Sequence, residues 1–238
     1  MKRIFHILLF LLVVVCITAF IRLFFYSIAI VSDKGHEPSL LQGDRVVVEL
    51  RSYGWLPFTE KRGWSWQEAP KRGEWVAFHS PAVERGAQPD TSPLFIGRIL
   101  AVPGDTVWMG KNGHVENHRS YGTGSVWPLS IPANGTHVKL SAWNRPLYQQ
   151  MISRHEPDTT TLGDDSFIDQ SYDEHYRFHH DYYWISSGSE ENLMDSRTLG
   201  PVPKEFLVGK VGMVLYSLDK GKPFWQSWRR SRTLFAIE

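Results

Sequence analysis

Residues 95–107 read Phe-Ile-Gly-Arg-Ile-Leu-Ala-Val-Pro-Gly-Asp-Thr-Val, and this stretch decides the fold. It begins as a run rich in apolar and β-branched residues, is interrupted by Pro103-Gly104-Asp105, and continues as residues 106–109. Because Pro followed by Gly and Asp favours a tight turn, the pattern predicts two strands joined by a turn.

Short apolar runs separated by turn signals recur on both sides of this stretch. The predicted strands are residues 45–50, 74–78, 95–102, 106–109, 137–140, 182–185 and 210–216. Fourteen Pro and nineteen Gly, spread among aromatic and β-branched residues, also favour short strands over a helical bundle. We therefore expect a mostly β fold, an antiparallel β domain that carries a second, smaller β and loop insertion.

Composition excludes several classes of protein. The 238 residues include 26 Lys and Arg against 25 Asp and Glu, a net charge of +1, and no long basic run, which argues against a nucleic-acid binder. The single Cys cannot form an internal disulfide, and the absence of a CxxC motif argues against structural zinc. No metal and no cofactor are expected.

The N-terminus carries a long apolar run. After Lys2-Arg3, residues 4–21 contain only His6 and Thr18 as polar residues. As a helix this run spans about 27 Å, most of a bilayer core of about 30 Å. A cleaved signal peptide is the alternative, but no small-residue cleavage pattern follows the run, and lipoprotein processing at Cys16 is disfavoured by the bulky valines before it.

We therefore expect a retained single-pass anchor. Residues 1–3 would lie in the cytoplasm, residues 4–21 in the cytoplasmic (inner) membrane, and the main domain on its outer or periplasmic side. The lipid bilayer is thus the first expected partner. Residues 23–31, rich in aromatic and β-branched types, are predicted to form a strand near the membrane surface.

The remaining segments complete the predicted organisation. Residues 22–110 and 181–217 form the main β core, and residues 111–180 form the insertion, with a helix near residues 147–153. Residues 218–238 form a basic aromatic tail. The tail either packs its aromatic side chains on the domain or contacts the membrane surface.

Four blocks in the same order resemble type I signal peptidase, the membrane-anchored leader peptidase. They are residues 35–48 (GHEPSLLQGDRVVV), residues 70–78 (PKRGEWVAF), residues 95–107 (FIGRILAVPGDTV) and a last block that begins with residues 194–203 (MDSRTLGPVP). The resemblance extends from the start of the chain to about residue 217. It implies a signal-peptidase-like fold and serine-type endopeptidase chemistry, in which a Ser attacks the peptide carbonyl and a neutral Lys accepts its proton.

The catalytic positions that this resemblance marks are replaced. The nucleophile position falls at Gly35, the proton acceptor at Gly97, and a supporting serine at Leu193; Asp33 stands where the family has an oxyanion hydroxyl. Burial of a Lys without its partner Ser would destabilise the fold. The loss of the Ser at residue 35 and the loss of the Lys at residue 97 are therefore consistent with each other. The sequence therefore predicts a pseudo-peptidase.

Substitute residues leave an alternative open. Ser32, Lys34 and Ser39 lie close to the nucleophile position, and His36 could act as a substitute base. In that case the chain would be an active signal peptidase that uses non-standard residues or a partner subunit. A membrane-tethered adaptor that works through its tail and insertion is the third hypothesis.

The resemblance also implies a peptide-binding groove between residues 29–34 and 94–97, in which substrate adds as a strand. Its candidate lining residues are Ile30, Val31, Gly35, His36, Leu40, Ile96 and Gly97. Asp195 and Arg197 are expected to form an ion pair that supports the adjoining loop. The groove either binds peptide or is vestigial.

One acidic and histidine-rich stretch, residues 173–181, raises the question of a metal site. We interpret it as a strand surface, and Asp164, Asp165 and Asp169 fit no EF-hand spacing. The expected function is therefore a peptide-binding chaperone or scaffold in protein export. Its expected partners are exported or secreted polypeptides, or an active peptidase paralogue, and not nucleic acid.

Overall fold

A computed structural model describes residues 2–32, 36–53, 68–82, 94–110, 115–116, 126–156, 175–187, 194–219 and 221–237. Within these residues the α-helices are α1 (Lys2–Phe24), α2 (Arg145–His155) and α3 (Ser196–Leu199). The strands are β1 (Tyr26–Ile30), β2 (Asp44–Glu49), β3 (Trp75–His79), β4 (Leu94–Ala101), β5 (Thr106–Met109), β6 (Val115–Glu116), β7 (Trp127–Ser130), β8 (His137–Lys139), β9 (His175–Arg177), β10 (Tyr182–Ser186), β11 (Val202–Pro203), β12 (Leu207–Ser217) and β13 (Phe235–Ala236).

The main sheet is antiparallel, and its strand order is β1-β2-β12-β3-β4-β10-β11, with β13 paired to β12. Two smaller sheets, β6-β5-β7 and β8-β9, are also antiparallel. The prediction of a mostly β, antiparallel fold is confirmed. Pro103-Gly104-Asp105 joins β4 to β5, and Gly104 has a φ of +88°, a conformation that favours glycine.

Within the residues that the structure describes, three hydrophobic clusters form the core. The first packs on the face of the main sheet formed by Val46, Trp75 and Ile96, and the third packs on the opposite face around Phe78 and Ile185. The second contains α2 and the smaller sheets and also includes Tyr182 and Trp184 of β10. Strand β10 thus contributes to two clusters. The predicted segment boundaries at residues 110 and 181 stay a prediction.

Helix α1 leads almost directly into β1. The prediction of a strand over residues 23–31 was wrong at its start, because Leu23 and Phe24 continue the helix and β1 begins at Tyr26. Side chains along residues 3–19 of α1 are exposed. Within the described part of the chain, no helix combines the length and hydropathy that a membrane span requires.

The C-terminal tail folds back on the loop between β1 and β2. Arg232 forms an ion pair of 2.7 Å with the fully buried Asp44, and it donates a 2.7 Å hydrogen bond to the Ser39 carbonyl. Arg229 donates to the Gln42 carbonyl at 2.9 Å. The aromatic side chains of the tail are less buried, since Trp225 is 80% exposed. The tail is thus held to the domain by its arginines.

Candidate functional site

The predicted groove residues belong mostly to the core. Val31, Leu40 and Ile96 are buried in the first hydrophobic cluster, so they are packed rather than open to a ligand. Ile30 differs, since it is 50% exposed at the end of β1, which is an edge strand of the main sheet. Gly35 lies outside the described residues, as do Asp33, Lys34 and Leu193.

His36 connects the loop after β1 to the end of β10. Its Nδ1 lies 2.6 Å from the Ser187 carbonyl oxygen, and its ring meets that of Trp75 edge to face, with centroids 5.5 Å apart. Because a carbonyl oxygen only accepts, Nδ1 donates this hydrogen bond and Nε2 carries the lone pair of the neutral ring. The buried imidazole therefore fixes the loop against both β3 and β10.

Gly97 lies in the middle of β4 and faces the third hydrophobic cluster. A Cβ built at this position would lie 2.5 Å from Ile185 Cγ2, 3.1 Å from the Ser186 carbonyl oxygen and 3.4 Å from Phe78 Cε1. Such a contact with Ile185 is too short for a real Cβ, because close-packed interiors have no room for an added atom. The side chain of Ile185 thus occupies the space beside Gly97 that a side chain at residue 97 would need.

Asp195 organises the segment that follows β10. Its carboxylate is fully buried and accepts hydrogen bonds from the Ser187 backbone N–H at 2.8 Å and the Ser187 hydroxyl at 3.0 Å. It also caps α3 by accepting from the Arg197 N–H, and it pairs with the Arg197 guanidinium at 2.9 Å. The Asp195 carboxylate thus joins the end of β10 to the start of α3.

A small cleft lies on the opposite face of β4 from the Gly97 contact. It has a volume of about 150 Å³ and is lined by His36, Glu37, Ser39, Trp75, Arg98, Leu100 and Ser186. Trp75 pairs with Arg98 across β3 and β4, and Arg98 pairs with Ser186 across β4 and β10. Directly paired residues project to the same face, so these three form one row across the sheet.

A larger, more polar cleft of about 380 Å³ lies near the start of β1. In it, Glu74 accepts from Lys210 Nζ at 2.8 Å and from the Tyr53 hydroxyl at 2.9 Å. Burial opposes the ionisation of Glu74, but these hydrogen bonds outweigh it and lower the pKa of Glu74. Burial, together with the hydrogen bond to Glu74, raises the pKa of Tyr53.

The remaining sequence-based candidates lie apart from one another. Ser32 is exposed, and its carbonyl accepts from Gln42. Ser39 lines the small cleft beside His36. His179 bonds to the buried Glu156, and Asp164, Asp165 and Asp169 lie outside the described residues. Among the residues that the structure describes, no group of three or more metal-ligating side chains occurs.

Sequence reasoning missed the row formed by Trp75, Arg98 and Ser186. These residues come from three strands, and only the strand register brings them together. One signal was available, since Arg98 interrupts an otherwise apolar strand directly after Gly97. Sequence reasoning also missed the ion pair between Arg232 and Asp44, which are 188 positions apart.

A family profile matches most of this chain. Residues 4–216 match the profile of the family described as signal peptidase, peptidase S26. A probable signal peptidase I-1 from Synechocystis sp. is 37% identical over 70 residues, which are 29% of this chain and only 30% of that relative. A solved structure of a signal peptidase I from Enterococcus faecalis is 16% identical, covers 60% of this chain and 97% of its own, and has a TM-score of 0.27.

Proposed function

The chain belongs to the signal peptidase family, peptidase S26, and from that premise we propose that it is a catalytically inactive member that binds extended polypeptides. Its work is that of a chaperone or scaffold in protein export or assembly. Its partners are exported or secreted polypeptides, or an active peptidase paralogue beside which it acts.

The packing around Gly97 carries this proposal. The family resemblance assigns the proton acceptor to this position, and glycine has no group that can accept a proton. Ile185 also occupies the space that the first side-chain atom of a lysine would need. A lysine could therefore enter only if the Ile185 side chain shifted, which makes simple reversion to a Ser-Lys pair unfavourable.

The segments on either side of the expected catalytic positions support a binding role. Asp195 and Arg197 hold the segment after β10, and His36 ties the loop after β1 to the same segment. Strand β1 lies at an edge of the main sheet, where unpaired backbone groups can accept an added strand. Exposed Ile30 at the end of β1 is the side chain placed to contact such a strand.

The membrane anchor over residues 4–21 belongs to this proposal. Its support is the exposure of apolar side chains such as Phe10 and Leu12 along α1, since exposed apolar surface of this extent favours a lipid environment. With a basic N-terminus in the cytoplasm, the β domain would lie on the outer or periplasmic side of the inner membrane.

The test uses the full-length chain in phospholipid vesicles with a preprotein substrate. We expect no cleavage above the buffer rate, and retained binding of an extended peptide measured by fluorescence anisotropy. Turnover that a serine-directed inhibitor abolishes would overturn the proposal. Absence of both cleavage and binding would overturn the binding role and leave the groove vestigial.

Groove variants are chosen from exposed positions. Leu40 and Ile96 are buried, so a charge there would unfold the domain and report nothing about binding. Ile30→Glu changes a half-exposed position and should weaken peptide binding while the melting temperature stays constant. Leu234→Glu, at a 65% exposed position in the tail, is the matched control.

One observation favours the alternative of an active peptidase. The hydrogen bond from His36 Nδ1 to the Ser187 carbonyl orients the imidazole as a general base requires, and Ser39 lines the same cleft. This alternative predicts cleavage that both His36→Ala and Ser39→Ala abolish. Cleavage that survives both substitutions would exclude it.

A further inference from the structure

The C-terminal tail lies against the loop that joins β1 to β2. The described part of this loop, residues 36–43 with Asp44 at the start of β2, includes His36 and Ser39, which line the small cleft. The Leu218 backbone N–H donates to the Gly43 carbonyl at 3.1 Å. A Cβ built on Gly43 would collide with the Leu218 carbonyl oxygen, so the start of the tail is in direct contact with the loop.

Arg232 binds this loop at two points with one guanidinium. Its Nη2 lies 2.7 Å from Asp44 Oδ2 and donates to the Ser39 carbonyl at 2.7 Å, and its Nε lies 3.1 Å from the same Asp44 oxygen. Among the described residues it is the only cation within ion-pair distance of Asp44, which is fully buried. A planar guanidinium that reaches a carboxylate and a carbonyl fixes the geometry between them. The path of the loop from Ser39 to Asp44 therefore depends on Arg232.

Arg229 adds a second attachment. Its guanidinium donates to the Gln42 carbonyl at 2.9 Å and to the Ser217 hydroxyl at 3.2 Å, and it lies 3.5 Å from Asp219. Its backbone N–H donates to the Ser217 carbonyl at 3.0 Å. Arg229 therefore joins the loop to the end of β12.

The tail buries little apolar surface of its own. Ile237 is partly buried against the first hydrophobic cluster, but residues 233–236 are exposed and Trp225 is 80% exposed. In contrast, the side chains of Arg229 and Arg232 are only 27% and 13% exposed. A segment with few buried apolar contacts opens locally at a lower free-energy cost than the core. The tail can therefore leave the domain while the main sheet stays folded.

We propose that the C-terminal tail is a strap that holds residues 36–44 in the conformation that binds peptide, and that Arg232 is its positioning residue. The inference rests on the proposed peptide-binding function and specifies how that site is regulated. When the tail is released, the loop loses its hold on Ser39 and peptide affinity falls. Because apparent affinity scales with the fraction of molecules in the binding conformation, a tail docked about one-tenth of the time lowers it about tenfold.

The first test measures peptide affinity by fluorescence anisotropy with the full-length chain in phospholipid vesicles. Arg232→Met should weaken binding about tenfold, and Arg232→Lys, which keeps the charge but not the planar fork, should recover part of the loss. Arg230→Met, at an exposed position in the same tail, is the matched control and should bind as the unmodified chain does. Equal affinities of Arg232→Met and Arg230→Met would overturn the proposal.

A double variant separates positioning from stability. Arg232→Met alone leaves Asp44 buried without its counter-charge, which destabilises the fold. Asp44→Asn combined with Arg232→Met removes both charges, and the amide oxygen can still accept from the Leu41 N–H as Asp44 does. The double variant should therefore recover much of the melting temperature while peptide binding stays about tenfold weaker. Recovery of both would make Arg232 a stabilising residue only and would overturn the proposal.

Hydrogen exchange followed by mass spectrometry observes the loop and the tail directly. Residues 39–44 should exchange faster in Arg232→Met than in Arg230→Met, while residues 182–186 of β10 exchange at the same rate in both. Since coupling between two equilibria is reciprocal, bound peptide should also slow exchange of residues 234–237, whose backbone bonds to β12. Bound peptide that leaves the exchange of the tail unchanged would overturn the proposal.

The outcomes distinguish this inference from the proposed function. If the unmodified chain binds no extended peptide, the proposed function fails and this inference fails with it. If the chain binds peptide and Arg232→Met binds it equally well, the proposed function stands and only the role of the tail is overturned. Weaker binding by Arg232→Met together with faster exchange of residues 39–44 supports both.

Discussion

Strand β10 runs between two buried carboxylates that are stabilised by different groups. Asp195, after the end of the strand, pairs with the Arg197 guanidinium and accepts from Ser187. Glu156, near its start, accepts from the Tyr182 hydroxyl at 2.9 Å and from both the backbone N–H and Nδ1 of His179. The first carboxylate holds the segment after β10, and the second lies at the C-terminal end of α2 and accepts from Tyr182 of the second hydrophobic cluster.

The difference lies in the partner's charge. An arginine stays protonated at every pH at which the domain folds, whereas a histidine is charged only when protonated. The carboxylate after β10 therefore has a permanently charged partner, whereas the side-chain donors to Glu156 are a tyrosine hydroxyl and an imidazole. Between them, Ile185 of β10 packs on Gly97, a contact that depends on shape alone.

The largest expected effect is at Asp195. Asp195→Ala leaves the Arg197 guanidinium, whose side chain is 7% exposed, buried without its counter-charge. We expect a loss of about 3–5 kcal/mol in the free energy of unfolding, measured by urea denaturation. Asp219→Ala, which removes a more exposed partner of Arg229, is the control and should shift the midpoint much less. Equal shifts would contradict the special position of Asp195.

Removal of the second carboxylate should cost less. Glu156→Ala leaves the Tyr182 hydroxyl and the His179 N–H without an acceptor, and we expect a loss of about 2–3 kcal/mol in the same measurement. Glu156→Gln keeps one acceptor oxygen and should recover part of it. A loss larger than that of Asp195→Ala would reverse the comparison.

The contact between Gly97 and Ile185 is tested by Gly97→Ala. The added methyl group meets Ile185 Cγ2, and overpacking of this kind costs about 1–3 kcal/mol. Gly212→Ala in β12 is the matched control, because the nearest atom to its Cβ is Glu49 Oε1 at 3.8 Å. In a double-mutant cycle, Gly97→Ala with Ile185→Ala should cost less than the sum of the two. Additive losses would mean that the two residues do not compete for space.

The smallest effect concerns pH. Burial, and then the charges of Arg154 and His180, lower the pKa of His155 to about 4. Since the unfolded imidazole takes up a proton below about pH 6.5, stability is full above that pH and falls as pH drops toward 4. We expect a loss of about 1–2 kcal/mol between about pH 7 and pH 5 that His155→Gln removes. His137→Gln, at an exposed position, should leave the slope unchanged; a slope that both variants share would contradict the assignment.

Local signals predicted the strands well. The expected strand over residues 106–109 has the bounds of β5, and the Pro-Gly-Asp turn lies where the sequence placed it. The prediction failed where a helix and a strand share the same apolar composition. At Leu23 and Phe24 the helix continues, because aromatic and branched residues do not stop a helix that lacks a Pro or Gly.

The site was less accessible to sequence reasoning. Motif order marked His36 and Gly97, but it gave no indication that Ile185 fills the space beside Gly97. Nor could it reveal that Leu40 and Ile96 are core residues. Both facts depend on the register between strands far apart in sequence, which is set by tertiary pairing.

The ion pair between Arg232 and Asp44 imposes an order on assembly. Asp44 obtains its counter-charge from a residue 188 positions downstream, so most of the polypeptide is synthesised before the pair can exist. Until then a carboxylate that is fully buried in the finished domain must stay hydrated, because its burial alone is costly. The loop that bears Ser39 therefore obtains its contact with Arg232 only after most of the chain has been synthesised.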